Sequence, residues 1–323
     1  MTAGDHASAG GAPHVAMAAG REFDAVRRML DAWGGGAAGV GDDCAVLDLP
    51  PGARLCVSTD SSVEGVHFRR DWLGPDEIGY RAATAALSDL AAMGAQPLGL
   101  LLAITVPRAW RDDLAALAAG VGEAAAGAAA TIVGGDTTAG ELLSLTVTVL
   151  GAAARPVPRS GARPGDVVYV TGLLGGPGAA VRALAAGAMP AAAHRARFAR
   201  PVARVREGVW LSGRGAAALV DVSDGLLADA GHLAAASGVR IVIDAERVPL
   251  VDGVAARDAA SSGEEYELLC AIGGPLDGAD FASRFGVPLT AIGRVEAGAP
   301  AVEFHVGGRR VDLPGGHDHF SDA

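Results

Sequence analysis

The sequence predicts an α+β protein made of two α/β domains, an N-terminal domain on a mixed sheet followed by a C-terminal α/β domain. Three observations carry this. The chain has 323 residues, enough for two ordinary domains. Half of it is hydrophobic and 20% is charged, which supplies real cores and leaves little scope for disorder away from the ends. Helix-like and strand-like apolar patterns also recur on both sides of a Gly-, Pro- and Arg-rich stretch at 151–165, the composition of a domain boundary. The expected division is a flexible tail at 1–21, an N-terminal domain at 22–151 and a C-terminal domain at 152–323.

Residues 22–33 place Phe23, Val26, Met29 and Leu30 at helical spacing, and the glycines at 34–36 end the pattern. Residues 55–58 form a short β-rich run that closes on Thr59 and Asp60. From 76 to 93 the apolar positions keep a helical period, and Gly94 supplies a stop. Residues 98–106 read as a buried strand ended by Pro107, 110–129 as a second long helix, 131–133 as a short strand and 142–150 as an alternating strand. Beyond the boundary, strands are expected near 167–171, 217–221, 239–244, 266–272 and 288–293, and helices near 178–187, 202–213, 225–237 and 277–285. The Gly-rich run from Thr171 to Gly178 lacks the acidic partner of a dinucleotide loop and reads as a plain strand–turn–helix.

The formal charge of −11 argues against partners that need a basic patch, so neither nucleic acid nor an anionic membrane surface is expected. All 26 basic residues are arginine, since the chain has no lysine. A Walker A loop, the protein-kinase strand lysine and a Schiff-base nucleophile are thereby excluded. Any phosphate must be held by arginine, backbone N–H groups or metal ions. Cys44, Cys56 and Cys270 are odd in number and far from CxxC spacing, which suits a reducing compartment better than disulfides or zinc. Residues 1–20 lack the pattern of a signal peptide, and the longest strongly apolar run, 98–106, is too short to span a bilayer. A cytoplasmic location is expected.

Acidic residues gather after glycines or at strand ends, at Asp42-Asp43, Asp60, Asp89, Asp136, Asp221 and Asp224. One such aspartate is ordinarily a helix cap or turn former. Asp89 fits that reading worst, because it sits mid-pattern in the 76–93 helix between Leu87 and Leu90, where an unpaired carboxylate is costly to bury. Several hard oxygen ligands without His or Cys suit Mg²⁺. A nucleotide triphosphate among such carboxylates needs divalent ions between them, since each close pair of like charges costs about 4 kcal/mol at 4 Å in an effective dielectric of about 20. Arg159 is the candidate phosphate clamp, and His67, in a loop after an acidic strand end, is the histidine with a functional setting. His232 reads as a packing residue on its helix.

In order along the chain, GVGDDCAVL, STDSSVEGVHF, LSDLAAMGA, IVGGDTT, RSGARPGD, DVSDGL and SGEEYELL resemble the thiamine-monophosphate kinase family of the aminoimidazole-ribonucleotide synthetase superfamily. The likeness runs from about Glu22 to Phe320. It implies an aminoimidazole-ribonucleotide synthetase-like fold whose N-terminal domain binds ATP and Mg²⁺ and forms a homodimer. It also implies ATP-dependent phosphorylation of thiamine monophosphate to thiamine diphosphate. Carried over by motif, the Mg²⁺ ligands are Asp43, Ser58 or Thr59, Asp60, Asp89, Asp136, Asp221 and Asp224, with Asp42 a weaker candidate. Gly135, Asp136, Arg159 and Ser223 would contact ATP, and His67 and Glu264 the thiamine monophosphate.

The acceptor in such a reaction is a phosphate oxygen, largely ionised at neutral pH because its second pKa is about 6. No general base is therefore expected; Asp89, Asp136 and Arg159 would support transfer through metal and charge. The sequence is also compatible with two other readings: a synthetase of the same superfamily acting on a ribonucleotide, and a non-catalytic nucleotide-binding accessory protein. One departure from the family pattern stands near the C-terminus. Gly316-His317-Asp318-His319-Phe320 puts an imidazole where relatives carry Trp or Tyr, so His317 is expected to line the substrate pocket and to repel the cationic thiazolium once protonated.

Overall fold

In a computed structural model of the chain, His14, residues 20–41 and residues 43–313 are described. The N-terminal half is built on four strands, β1 (Arg54–Val63), β2 (Gln96–Val106), β3 (Thr131–Ala139) and β4 (Ser144–Ala153), in the order β1-β4-β2-β3. β4 is antiparallel to β1 and β2, and β3 is parallel to β2. Helices α1 (Arg21–Trp33), α2 (Pro75–Ala92) and α3 (Leu114–Gly127) share one core with the sheet. Side chains alternate between the two faces of each strand. Leu100, Leu102, Ile104, Leu145, Val147 and Val149 are buried under the helices, while Leu55 and Val57 on the other face are 49% and 58% exposed.

Two glycines allow α2 and α3 to cross with their backbones in contact. A Cβ on Gly79 would lie 2.0 Å from the Leu117 carbonyl oxygen, and one on Gly120 would lie 1.9 Å from that of Asp76. Gly120→Ala is expected to cost about 3 kcal/mol of stability, the upper end for overpacking, because backbone has to move. A urea titration checks this; an unchanged midpoint would show that the helices separate freely.

The C-terminal half is a seven-stranded sheet of order β11-β10-β7-β9-β5-β8-β6, formed by β5 (Val167–Thr171), β6 (Ala218–Asp221), β7 (Arg240–Asp244), β8 (Leu268–Ile272), β9 (Leu289–Glu296), β10 (Ala301–Val306) and β11 (Arg309–Val311). Helix α7 (Leu226–Ser237) packs on one face through Leu226, Ala230 and Leu233. The other face meets α6 (Val205–Gly213) and α9 (Gly278–Phe285) through Leu211 and Phe281. Strands covered on both sides read as unbroken apolar runs, which is why β5, β6 and β8 stand out in the sequence.

Helix α2 serves both halves. Its middle packs in the first core, while Ala91 and Ala92 join the core beneath the second sheet. A Cβ on Gly208 of α6 would lie 2.1 Å from the Ala91 carbonyl oxygen, so α6 presses directly on the end of α2. Helices α4 (Gly176–Ala185) and α5 (Ala192–Ala199) also reach back: Ala180, Phe198 and Ala199 are buried in the first core.

Several elements differ from the sequence expectations. β1 extends to Val63 rather than ending near 58, and β3 extends to Ala139, so Asp60 and Asp136 lie within strands. Both extensions are held by ladder pairing with β4 and β2 rather than by apolar side chains. The helix expected at 110–129 opens with a 3₁₀ turn, Arg108–Asp113, ahead of α3. Helix α5, the short α8 (Ala256–Ala260), β10 and β11 carry no pattern that singles them out. Thr171–Gly178 is the strand–turn–helix expected, with Gly175 in the left-handed region at φ 100°.

Candidate active site

A cavity of about 560 Å³ opens between the two halves, lined by Thr59, Asp60, His67, Asp89, Asp221, Ser223, Asp224 and Glu264 among others. The volume is that of a small-molecule site. Its floor follows from α2 spanning both halves. Ser88 and Asp89 are neighbours on that helix, and the Ser88 hydroxyl donates to Asp221 Oδ2 at 2.7 Å, tying the end of β6 to the N-terminal half. Asp89 Oδ2 accepts the Ser58 hydroxyl of β1 at 2.5 Å. Ser58 and Asp60, two apart on one strand, face the same side, towards Asp89.

These carboxylates crowd one another. Burial raises the Asp89 pKa, the Asp60 charge adds to the rise, and the Ser58 hydroxyl and Arg159 oppose it. Burial and the nearby Asp89 push Asp221 up to about 6, against the Ser88 hydrogen bond and Arg159. Arg159 therefore acts on both carboxylates. Its loop is pinned to the end of α7, where the Ser237 hydroxyl donates to the Arg159 carbonyl at 3.1 Å and accepts the N–H of Gly161 at 3.1 Å.

The opposite wall is the segment Ser262–Glu267, held by its own buried carboxylates. Glu265 Oε1 accepts the Gly175 N–H and the Ser262 hydroxyl, each at 2.6 Å. Glu267, 1% exposed, takes Nε and Nη2 of Arg204 at 2.8 and 2.6 Å and the Thr171 hydroxyl at 2.7 Å. On either side of Glu265, Glu264 and Tyr266 adopt φ 61° and 52°, a conformation that costs non-glycine residues free energy and recurs at functional sites. The Glu264 N–H bonds the Ser223 carbonyl at 2.6 Å and the Tyr266 N–H bonds the Val222 carbonyl at 2.9 Å, so this wall and the Asp221–Asp224 loop form one unit.

Arg81, Trp72, Phe198 and Tyr266 belong to the site and were not picked out from the sequence. Arg81 is 6% exposed, stacks 4.2 Å over the Phe198 ring and donates to Glu264 Oε1 at 2.6 Å. The signal was available: Arg81 interrupts the apolar pattern of α2 as Asp89 does. Trp72, Phe198 and Tyr266 line the main cavity. The His67 ring accepts the Val63 N–H through Nδ1 at 3.1 Å, which fixes its orientation at the rim.

Three expected site residues lie elsewhere. Asp43, Gly135 and Asp136 line a second cavity of about 280 Å³ with Phe23, Val26, Met29 and Trp33. Gly135 sits across from Asp60 through Val147 and Leu102, three strand spacings or about 14 Å away. A Cβ on Gly135 would lie 1.9 Å from the Leu102 carbonyl oxygen, so its glycine is required by the approach of β3 to β2. His317 and Asp42 lie outside the described residues. His232, read as packing, is exposed on α7, with Asp224 and Asp229 close enough to share one small ion.

The donor chemistry of the main cavity fits Mg²⁺. Asp60, Asp89, Asp221 and Asp224 bring hard oxygens from both halves, and burial together with the neighbouring carboxylate raises Asp89 and Asp221, a repulsion that a divalent cation between them would relieve.

Residues 41–153 match the AIR synthase related protein N-terminal domain and residues 163–305 its C-terminal domain. Thiamine-monophosphate kinase of Salmonella typhimurium is 38% identical over 322 residues, covering 93% of this chain and 96% of that protein. The crystal structure of thiamine-monophosphate kinase from Stenotrophomonas maltophilia K279a is 36% identical with a TM-score of 0.77, over 84% of this chain and 90% of that one. AaThiL complexed with AMPPCP and TMP is 31% identical with a TM-score of 0.72, over 92% and 96% of the two chains. This α+β chain, with its two domains meeting at a carboxylate-lined cavity, belongs to the thiamine-monophosphate kinase family of AIR synthase related proteins.

Proposed function

We propose that the chain phosphorylates thiamine monophosphate to thiamine diphosphate with ATP, in one in-line transfer assisted by Mg²⁺. The observation that carries the reading is the meeting of Asp60 and Asp89 from one half with Asp221 and Asp224 from the other, within range of the Arg159 charge that lowers the Asp89 and Asp221 pKa values. Asp60, Asp89, Asp221 and Asp224 would hold Mg²⁺, with Ser58 or Thr59 adding an oxygen. Bound there, the ions supply neutralisation of phosphate charge. Arg159 adds the cationic side chain that a lysine supplies in other kinases, and its guanidinium suits phosphate oxygens. The acceptor phosphate is already ionised, so the protein's task is alignment and exclusion of water. His67 and Glu264, held by Val63 and Arg81, flank the acceptor end.

Asp43, Gly135 and Asp136 are assigned to the nucleotide side, where the second cavity offers apolar walls beside its carboxylates. The open face of the first sheet, with Leu55 and Val57 exposed, is assigned to a second copy of the chain. Cys44, Cys56 and Cys270 are free thiols, and among the described residues no helix is long and apolar enough to cross a membrane.

Incubation with ATP, Mg²⁺ and thiamine monophosphate, followed by chromatography, tests the reading. Thiamine diphosphate and ADP are expected in equal amounts; ATP consumption only with a ribonucleotide acceptor would overturn it. Arg159→Ala is expected to raise the KM for ATP about tenfold or more, the loss of a charge-assisted hydrogen bond of about 1.5–3 kcal/mol. The KM for thiamine monophosphate should move less. An effect confined to thiamine monophosphate would place Arg159 in the other half of the cavity.

A further inference from the structure

The loop between β6 and α7 carries Asp221, Ser223 and Asp224 into the main cavity. Three successive N–H groups of this loop, those of Ser223, Asp224 and Gly225, converge on one atom, Asp229 Oδ2, at 3.0, 3.0 and 3.1 Å. Asp229 is 2% exposed, and its own N–H bonds the Gly225 carbonyl at 3.0 Å. A capping side chain ordinarily precedes a helix and serves N–H groups inside it. Here the relation is reversed: a residue in the first turn of α7 reaches back to the loop.

Successive N–H groups pointing into one concavity make an anion-binding nest. In this chain the nest is filled by the protein's own carboxylate. Two consequences follow. The three peptide planes are fixed with their N–H groups turned inwards, leaving the Ser223 and Asp224 side chains to face the cavity. Those N–H groups are also spent, so phosphate recognition at this loop falls to side chains, Arg159 first.

We propose that Asp229 is a positioning residue that sets the metal- and nucleotide-facing geometry of the Asp221–Asp224 loop without touching substrate. The proposal rests on the function inferred above. Its test uses the full chain with ATP and Mn²⁺ as a paramagnetic stand-in for Mg²⁺, free Mn²⁺ being counted by electron paramagnetic resonance, alongside the Mg²⁺ dependence of turnover. Asp229→Ala is expected to weaken Mn²⁺ binding and raise the half-maximal Mg²⁺ about 10–100-fold, the usual effect of removing a group that orients metal ligands. Asp229→Asn retains an accepting oxygen, and should stay within about threefold of wild type, below that range.

Wild-type Mn²⁺ affinity in Asp229→Ala would overturn the proposal whatever its melting temperature. Equal losses in the Asn and Ala variants would also overturn it, showing that charge and not acceptor geometry matters. If Asp229→Ala does not fold, the Asn variant decides alone: near-wild-type binding supports the proposal and a tenfold loss contradicts it. A wild-type chain that binds no Mn²⁺ with ATP would instead sink the proposed function, which keeps the two failures apart.

Discussion

Asp89→Ala is expected to lower turnover about a thousandfold, equivalent to about 4 kcal/mol of lost charge stabilisation in the transition state. The same change should leave the melting temperature without Mg²⁺ no lower than that of the wild type. The sign follows from its environment. Burial already raises the Asp89 pKa, so the charged form is a burden on the folded protein when no cation is present, and Ser58 is exposed enough to turn to water instead. A site that lowers stability for function behaves in this way. Mg²⁺ and ATP should raise the wild-type melting temperature by ligand linkage, and raise that of the variant less. Steady-state kinetics with melting curves in both conditions checks all three. Near-normal turnover would remove Asp89 from the metal site.

Arg204→Met is expected to destabilise the protein by about 3–5 kcal/mol, because it leaves Glu267 as a buried charge without its bidentate partner. Arg197 lies 3.2 Å from the same carboxylate but reaches it with one nitrogen and is 27% exposed, so it replaces little of the pairing. Glu267→Gln in the Arg204→Met background should recover part of the loss, since a neutral amide needs no counter-charge. Denaturant titration of both variants checks the order; a double variant weaker than Arg204→Met would show that the Glu267 charge is not what Arg204 compensates. Glu267 follows directly on the Glu264–Tyr266 backbone and anchors its C-terminal side, so the first variant should also weaken thiamine monophosphate binding.

The parts of this site that were legible from sequence are those where a polar residue breaks a regular pattern. Asp89 shows because α2 is otherwise apolar along that face, and the same logic reaches Arg81. Where the chemistry occupies the whole segment, the pattern disappears. Ser58-Thr59-Asp60-Ser61-Ser62 fills the second half of β1, so the strand reads as ending where the site begins. Helix α5 was hidden for another reason. Its His194, Arg195 and Arg197 are set among alanines with Phe198 the one large apolar residue, and what holds it is tertiary: Arg195 pairs with Glu77 at 2.7 Å, and Phe198 is buried under Arg81. Asp229 looks like any acidic residue in a first helical turn; only the backbone of the preceding loop reveals what it binds. The 14 Å between the Asp60 and Gly135 rows likewise depends on the strand order β1-β4-β2-β3, which no local signal encodes.

The most direct measurement is the stereochemistry of transfer at phosphorus. In the proposed reaction the γ-phosphoryl group passes from ATP straight to the thiamine monophosphate phosphate in the cavity between the two halves, with no side chain as a relay. ATP made chiral at its γ-phosphorus with sulfur and oxygen isotopes should then give thiamine diphosphate with inverted configuration, the outcome of a single in-line displacement. Retention would mean two successive transfers through a phosphorylated side chain, and would contradict it.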